Sequence, residues 1–254
     1  MFDANAEQRI SINIERIFRN SLREVPAKLA TIPPFLVLVA PRHGHAQRSY
    51  RYIVPDRQIR FDNDMIQFVC RQCGKTNDRQ GASDEFLSCD ICCSEDSVSP
   101  NSSPIDAAIR CYCRKCLEIL HKSPDRKQLY NHKLKKIEAD KYSLDLFAVL
   151  CIETSHYVAF VKCPKTNGEH EWLFFDSMSD RTNDDKNIPC VSKVPDFDPW
   201  IKETENQRFF NDLDRRRNAF GSTAQKFSDV EIRMIRLFCD GAFFFYRNPN
   251  ATSQ

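Results

Sequence analysis

Two stretches of this 254-residue sequence carry residue types that could do chemistry. The first holds His156 and Asp176, each at the end of an apolar run rich in β-branched and aromatic residues. Such runs, broken by polar turns, read as strands: Leu144 to Ile152, His156 to Lys162, and Trp172 to Asp176. Only Glu153, Thr154 and Ser155 separate the first two, which predicts a tight hairpin with His156 at its end. The turn from Pro164 to Glu169 then brings Asp176 to the end of the third strand. A carboxylate on an imidazole fixes its tautomer and stabilises the imidazolium, the arrangement of a general base with its orienting partner. The alternative is a strand-end histidine whose ring is simply satisfied.

The second stretch is richer in sulfur. Cys70-Arg-Gln-Cys73, Cys89-Asp-Ile-Cys92 and Cys113-Arg-Lys-Cys116 are three pairs with two-residue spacing, and His121 and His132 follow. That spacing lets both thiolates of a turn reach one ion, and Zn²⁺ favours thiolate with some imidazole. A cross-braced reading puts Cys70, Cys73, Cys113 and Cys116 on one zinc. Cys89, Cys92, His121 and His132 then hold a second. Cys93 and Cys111 are spare thiols that could move either assignment by a position or two. Eight ligands in two closed sites leave no open coordination position, so the ions would be structural. The loop from Ser94 to Pro104 is rich in turn-forming residues.

Composition narrows the remaining possibilities. Eight of the twelve cysteines fall between positions 70 and 116, and the first residues show no signal-peptide pattern. Clustering without an export signal favours metal in a reducing, cytoplasmic setting over disulfides. No run of eighteen apolar residues suggests a transmembrane segment. A net charge of +2 with no basic stripe argues against nucleic acid as a partner. Two histidines at His43 and His45 lack neighbouring cysteines and read as solvated.

Elements that must frame these groups are legible on both sides. Ile10, Ile14, Ile17, Phe18 and Leu22 repeat at helical spacing and predict one buried face. Phe35 to Ala40 and Ser49 to Val54 read as short strands. The run from Leu144 to Ile152, with Cys151 inside it, is apolar enough to be buried on both faces. A helix is expected over Ile201 to Arg217. Ser228-Asp-Val-Glu231 fits a capping box opening a helix that carries Val230, Met234, Leu237 and Phe238. Ala242 to Tyr246 reads as a closing strand paired with the central hairpin.

These residues resemble the ubiquitin-specific protease family. Ser155-His-Tyr-Val-Ala-Phe160 is similar to its histidine box, although many members have glycine where Ser155 stands. Trp172-Leu-Phe-Phe-Asp-Ser-Met178 is similar to the acidic element that follows, and Cys239-Asp-Gly-Ala-Phe-Phe-Phe-Tyr246 to the closing strand. The order of Cys and His pairs resembles a zinc-binding B-box inserted in some members. The resemblance runs from about Ile14 to Pro249. It implies an α+β fold: part of a papain-like cysteine-protease domain, an antiparallel sheet with flanking helices, over residues 1–254. The zinc-binding B-box-like module would be inserted at 68–134.

Carried across, the resemblance makes His156 the general base and Asp176 its partner in a cysteine-type deubiquitinase. Ubiquitin and polyubiquitin chains are the implied partners, with signalling-complex proteins possible. The family's nucleophilic cysteine occupies a box upstream of the helix that begins near Ile14, and this chain is expected to start beyond it. Outside the cluster, Cys151, Cys163, Cys190 and Cys239 match no such box. Two functional classes follow: a deubiquitinase whose thiol lies elsewhere, or an inactive fragment or isoform acting as a zinc-containing ubiquitin- or protein-binding module.

Overall fold

The computed structural model describes residues 11–25, 27–42, 50–77, 86–89, 111–122, 134–136, 142–178, 190–218 and 227–250. Its strands are β1 Ser11–Asn13, β2 Phe35–Val39, β3 Tyr52–Val54, β4 Gln58–Arg60, β5 Phe86–Cys89, β6 Tyr112–Cys113, β7 Leu134–Lys136, β8 Ser143–Glu153, β9 His156–Pro164, β10 His170–Asp176, β11 Cys190–Lys193 and β12 Gly241–Arg247. Helices span Ile14–Glu24, Arg114–Lys122, Phe197–Trp200, Glu203–Asn218 and Asp229–Asp240. The fold is α+β, and two compact units divide it. One comprises Met1–Ser21, Phe35–Ile59 and Leu144–Arg247; the other comprises Leu22–Pro34, Arg60–Ser143 and Asn248–Gln254.

In the first unit, strands β11-β10-β9-β8-β12-β2 form a sheet in that order, with β4 also paired to β8. Every neighbouring pair along that order is antiparallel. The predicted meander is therefore present, each strand running slightly longer than the sequence suggests. Its burial differs from expectation. Val149 and Cys151 are buried with their β9 partners Phe160 and Val158, whereas Ala148, Leu150, Ala159 and Val161 on the other face are half-exposed. Antiparallel sheets are free to cover one face only, and the alternation follows from the pleat. Toward the edges the open face includes the exposed apolar residues Phe35, Val37, Val39, Tyr157, Phe175 and Val191.

The covered face is aromatic. Trp172 stacks on Phe197 at 3.8 Å between ring centroids, and Phe160 lies 5.1 Å from Phe174 and 5.5 Å from Phe197. Tyr52 stacks on Phe210 at 4.2 Å, and Phe210 meets Phe238 edge-on at 5.0 Å. Each such pair contributes about 0.5–1.5 kcal/mol beyond its buried area. The last helix opens with the predicted capping box: Ser228 Oγ accepts from Glu231 N–H, and Glu231 accepts from Ser228 N–H. It buries Met234, Leu237, Phe238 and Cys239, but Val230 is exposed. This helix passes into β12 with no connecting loop. Gly241 sits at the junction, where an added Cβ would lie 2.6 Å from the Leu237 carbonyl oxygen. Only glycine fits there.

The predicted helix over Ile201 to Arg217 is Glu203–Asn218, preceded by the short turn at Phe197–Trp200. At the front, helix Ile14–Glu24 is present, but only Ile14 is buried. Ile17, Phe18 and Leu22 are half-buried, because charged residues fill the rest of this one short helix. Ile10 lies outside the described residues, and Ile12 belongs to β1, which pairs in parallel with β3.

The second unit has a small three-stranded sheet, β6-β5-β7, with helix Arg114–Lys122 following β6 directly. Phe68 and Phe86, 6.1 Å apart, share its core with Ile66, Leu87, Tyr112 and Leu117.

Candidate functional site

At the end of the central meander, the two-residue turn Thr154–Ser155 joins β8 to β9 and pairs Glu153 with His156. Thr154 adopts φ 53°, in the left-handed region that β-branched residues avoid. Across the next strand pair, Asp176 is opposite Val158. Residues 156, 158 and 176 therefore project from the same face of the sheet, and His156 and Asp176 meet diagonally. The contact runs from His156 Nε2 to Asp176 Oδ1 at 2.6 Å. Both side chains are about one-fifth exposed, at 22% and 23%. The same carboxylate oxygen accepts from Met178 N–H at 2.9 Å, and Ser177 Oγ donates to Tyr157 O at 2.8 Å. Together these contacts lock the end of β10 against the start of β9.

The other ring nitrogen is also engaged. Arg236, from helix Asp229–Asp240, brings Nη2 to 3.1 Å from His156 Nδ1. Its Nη1 donates to Asp240 Oδ2 at 3.0 Å and to Glu153 Oε2. A guanidinium only donates, so Nδ1 holds the lone pair and Nε2–H donates to Asp176. Sequence reasoning missed Arg236, Glu153 and Asp240. Arg236 and Asp240 are four apart on one helix, which is visible in the sequence. The reach to His156, eighty residues away, is a product of tertiary packing.

Among the described residues, the hydrogen-bond partners of His156 are Asp176 and Arg236; no thiol is among them. Cys151 is buried opposite Val158, and burial, then the nearby Asp240 carboxylate, pushes its thiol far above the ordinary range. Cys239 is buried too, and Cys163 sits near the far end of β9.

In the second unit, Cys70, Cys73, Cys113 and Cys116 converge, all four sulfurs lying within 4.8 Å of one another. Cys73 Sγ and Cys113 Sγ are 3.8 Å apart. A tetrahedral Zn–thiolate bond of about 2.3 Å implies sulfurs about 3.8 Å apart, so the spacing suits such an ion. The first pair is shaped by a knuckle. Gly74 at φ 71° donates its N–H to Cys70 O at 2.8 Å, and Cys70 N–H donates to Lys75 O at 2.7 Å. Burial opposes ionisation of Cys70, but backbone N–H groups of Cys113, Cys73 and Gln72 outweigh it and bring the thiol down to about 7. Cys116, against burial and three neighbouring sulfurs, is pushed up to about 12. A cation bound here would displace the protons that these thiols hold. These four cysteines can bind one metal ion. The spare Cys111 instead donates its thiol to Val69 O at 3.1 Å.

The residues assigned to a second ion are divided. Cys89 is buried in β5 and His121 is half-buried in helix Arg114–Lys122. Cys92 and His132 lie outside the described residues, as do Cys93, His43 and His45. Among the described residues, no helix is long and apolar enough to cross a membrane.

No family model matches the chain. It is similar to the ubiquitin carboxyl-terminal hydrolase CYLD of Bos taurus and of Homo sapiens, 29% identical to each over 252 residues. The corresponding protein of Mus musculus is 28% identical over the same length. Each alignment covers 93% of this chain and 23% of the relative, so the chain spans about a quarter of the length of the curated relatives it matches.

Proposed function

We propose, from this relationship to CYLD, that the chain serves a cysteine-type deubiquitinase in which His156 is the general base and Asp176 orients it. The observation that carries this reading is the 2.6 Å contact between Asp176 Oδ1 and His156 Nε2. It leaves Nδ1 as the nitrogen able to take a proton, and it places a carboxylate where an imidazolium would need one. In the reaction, Nδ1 takes the proton of a cysteine thiol, and the thiolate attacks the carbonyl carbon of the last glycine of ubiquitin. The bond to the leaving amine breaks, with the imidazolium supplying its proton. Water, deprotonated by the same nitrogen, then hydrolyses the thioester.

On this reading the thiol is none of Cys151, Cys239 and Cys163, because Cys151 and Cys239 are buried and Cys163 lies at the wrong end of β9. Burial also holds Cys151 protonated, which opposes nucleophilicity. The meander and its aromatic face correspond to part of a papain-like catalytic domain. The cysteine-rich segment 68–134 corresponds to an inserted B-box holding two structural zinc ions. Cys70, Cys73, Cys113 and Cys116 would hold one, and Cys89, Cys92, His121 and His132 the other. Ubiquitin chains are the proposed substrate, and the clustered cysteines suit a reducing, cytoplasmic compartment.

A ubiquitin derivative with an electrophile at its C-terminus tests the proposal, since it traps only a positioned thiolate. The 254-residue chain should not be labelled. A longer polypeptide carrying the nucleophile should be, and His156→Ala should abolish that labelling. Labelling that survives His156→Ala would remove the base from the scheme.

A further inference from the structure

We propose that Arg236 is a latch on the base: its guanidinium occupies His156 Nδ1 in the resting state and must withdraw before a proton can be accepted there. The proposal rests on the reading of His156 as the base. Nδ1 has a single lone pair, and Arg236 Nη2 takes it at 3.1 Å. A thiol proton cannot share that lone pair with a strong donor. Arg236 is not held by the imidazole alone. Its Nη1 is anchored to Asp240 at 3.0 Å and to Glu153, so the cation stays satisfied when Nη2 lets go. After Arg236 has withdrawn and Nδ1 is protonated, repulsion between imidazolium and guanidinium keeps the latch open. The three side chains come from the β8 end and from one helix, while the base begins β9. The latch therefore closes across the hairpin that presents the base.

In the closed state Arg236 also does positioning work. By accepting only a donor at Nδ1, the ring keeps its proton on Nε2, facing Asp176. This is the tautomer the reaction begins from. Arg236 is thus a positioning residue that preserves a ready base while shielding it from adventitious protons and electrophiles.

The 254-residue chain itself provides the test, because the accessibility of Nδ1 can be read without any thiol. Diethylpyrocarbonate acylates an unprotonated, unshielded imidazole nitrogen, and mass spectrometry reports the site. The exposed His170 serves as the internal reference. Relative to His170, modification of His156 should be slow in the wild type. It should be about tenfold faster in Arg236→Gln, a difference of about 1.4 kcal/mol. Glu153→Gln, at a side chain 54% exposed, loosens one anchor without touching the core and should fall between the two. Equal rates in all three proteins would overturn the latch. A parallel measurement of ubiquitin-electrophile labelling in a longer polypeptide separates the two ideas. Loss of labelling in His156→Ala without acceleration in Arg236→Gln or Glu153→Gln removes the latch and keeps the base. Labelling that persists in His156→Ala removes the base, and the latch as a catalytic device goes with it.

Discussion

His156 Nε2 and Asp176 Oδ1 meet at 2.6 Å although the two residues are twenty apart in sequence, because β9 and β10 pair antiparallel with Asp176 opposite Val158. The register alone brings them together, and a one-residue slip would send Asp176 to the opposite face. Asp176→Asn should therefore keep the sheet intact and spoil the chemistry. An amide can present N–H to Nε2 and favour the wrong tautomer, at a cost of order 10⁴ in kcat for a comparable triad. Turnover of a ubiquitin substrate by a longer polypeptide carrying the nucleophile is the measurement. A loss below tenfold would make the aspartate structural.

The four-cysteine cluster predicts a metal. Protein purified from metal-replete medium should contain zinc, and Cys73→Ser should lose the ion held by this cluster. For sites of this type apparent binding energies run to about 10–16 kcal/mol, so chelation should unfold the cysteine-rich segment while leaving the aromatic meander folded. Because thiolates are the ligands, protons compete, and zinc affinity should fall as pH is lowered from 8 to 6. Elemental analysis alongside near-UV circular dichroism follows both effects.

Strain in the hairpin gives a third expectation. Thr154 sits at φ 53°, where a left-handed conformation costs a non-glycine residue about 1–2 kcal/mol. Asparagine tolerates that region through local hydrogen bonding. Thr154→Asn should thus raise stability by about 1 kcal/mol, read as a higher urea midpoint at unchanged slope. A lower midpoint would mean that the Thr154 hydroxyl, which donates to Glu153 O at 2.7 Å, outweighs the strain.

The capping box at Ser228 should make stability depend on pH in one direction. Hydrogen bonding from the Ser228 backbone N–H, against some burial and helped by the Ser228 hydroxyl and Arg216, holds Glu231 below its ordinary value of 4.5. A depressed folded value means that the contribution is fully present above 4.5 and is lost as pH falls through the lowered value. Glu231→Gln should cost about 0.5–1 kcal/mol at pH 7 and progressively less as pH falls below 4.5. Paired urea titrations above and below that pH check the sign.

Strand order in the meander was readable because each strand is a dense apolar run ended by short polar turns, and the capping box was readable because its two partners are local. The three knuckle pairs announced themselves by spacing, and Cys70, Cys73, Cys113 and Cys116 do converge. What misled was apolarity on both parities. Leu150, Ala159 and Val161 look like core residues in sequence, yet they line the open face, since composition does not say which side a helix will cover. Val230 fits the helical stripe but falls in the first turn, beyond the reach of the sheet. The contact of Arg236 with His156 gave no signal: a basic residue on a helix looks solvated until the fold brings a histidine from a distant hairpin beside it.

The position of β12 has a consequence for synthesis. It lies between β8 and β2, yet it is the last of the described strands to leave the ribosome. Until residues 241–247 emerge, β8 lacks its β12 neighbour and β2 has no partner in the sheet. A nascent or prematurely terminated chain therefore exposes apolar strand edge together with the open face, the combination that recruits neighbouring chains. A stop codon near position 242 would remove the centre of this sheet, and such products belong with the chaperones and proteases rather than with the shortened but folded proteins.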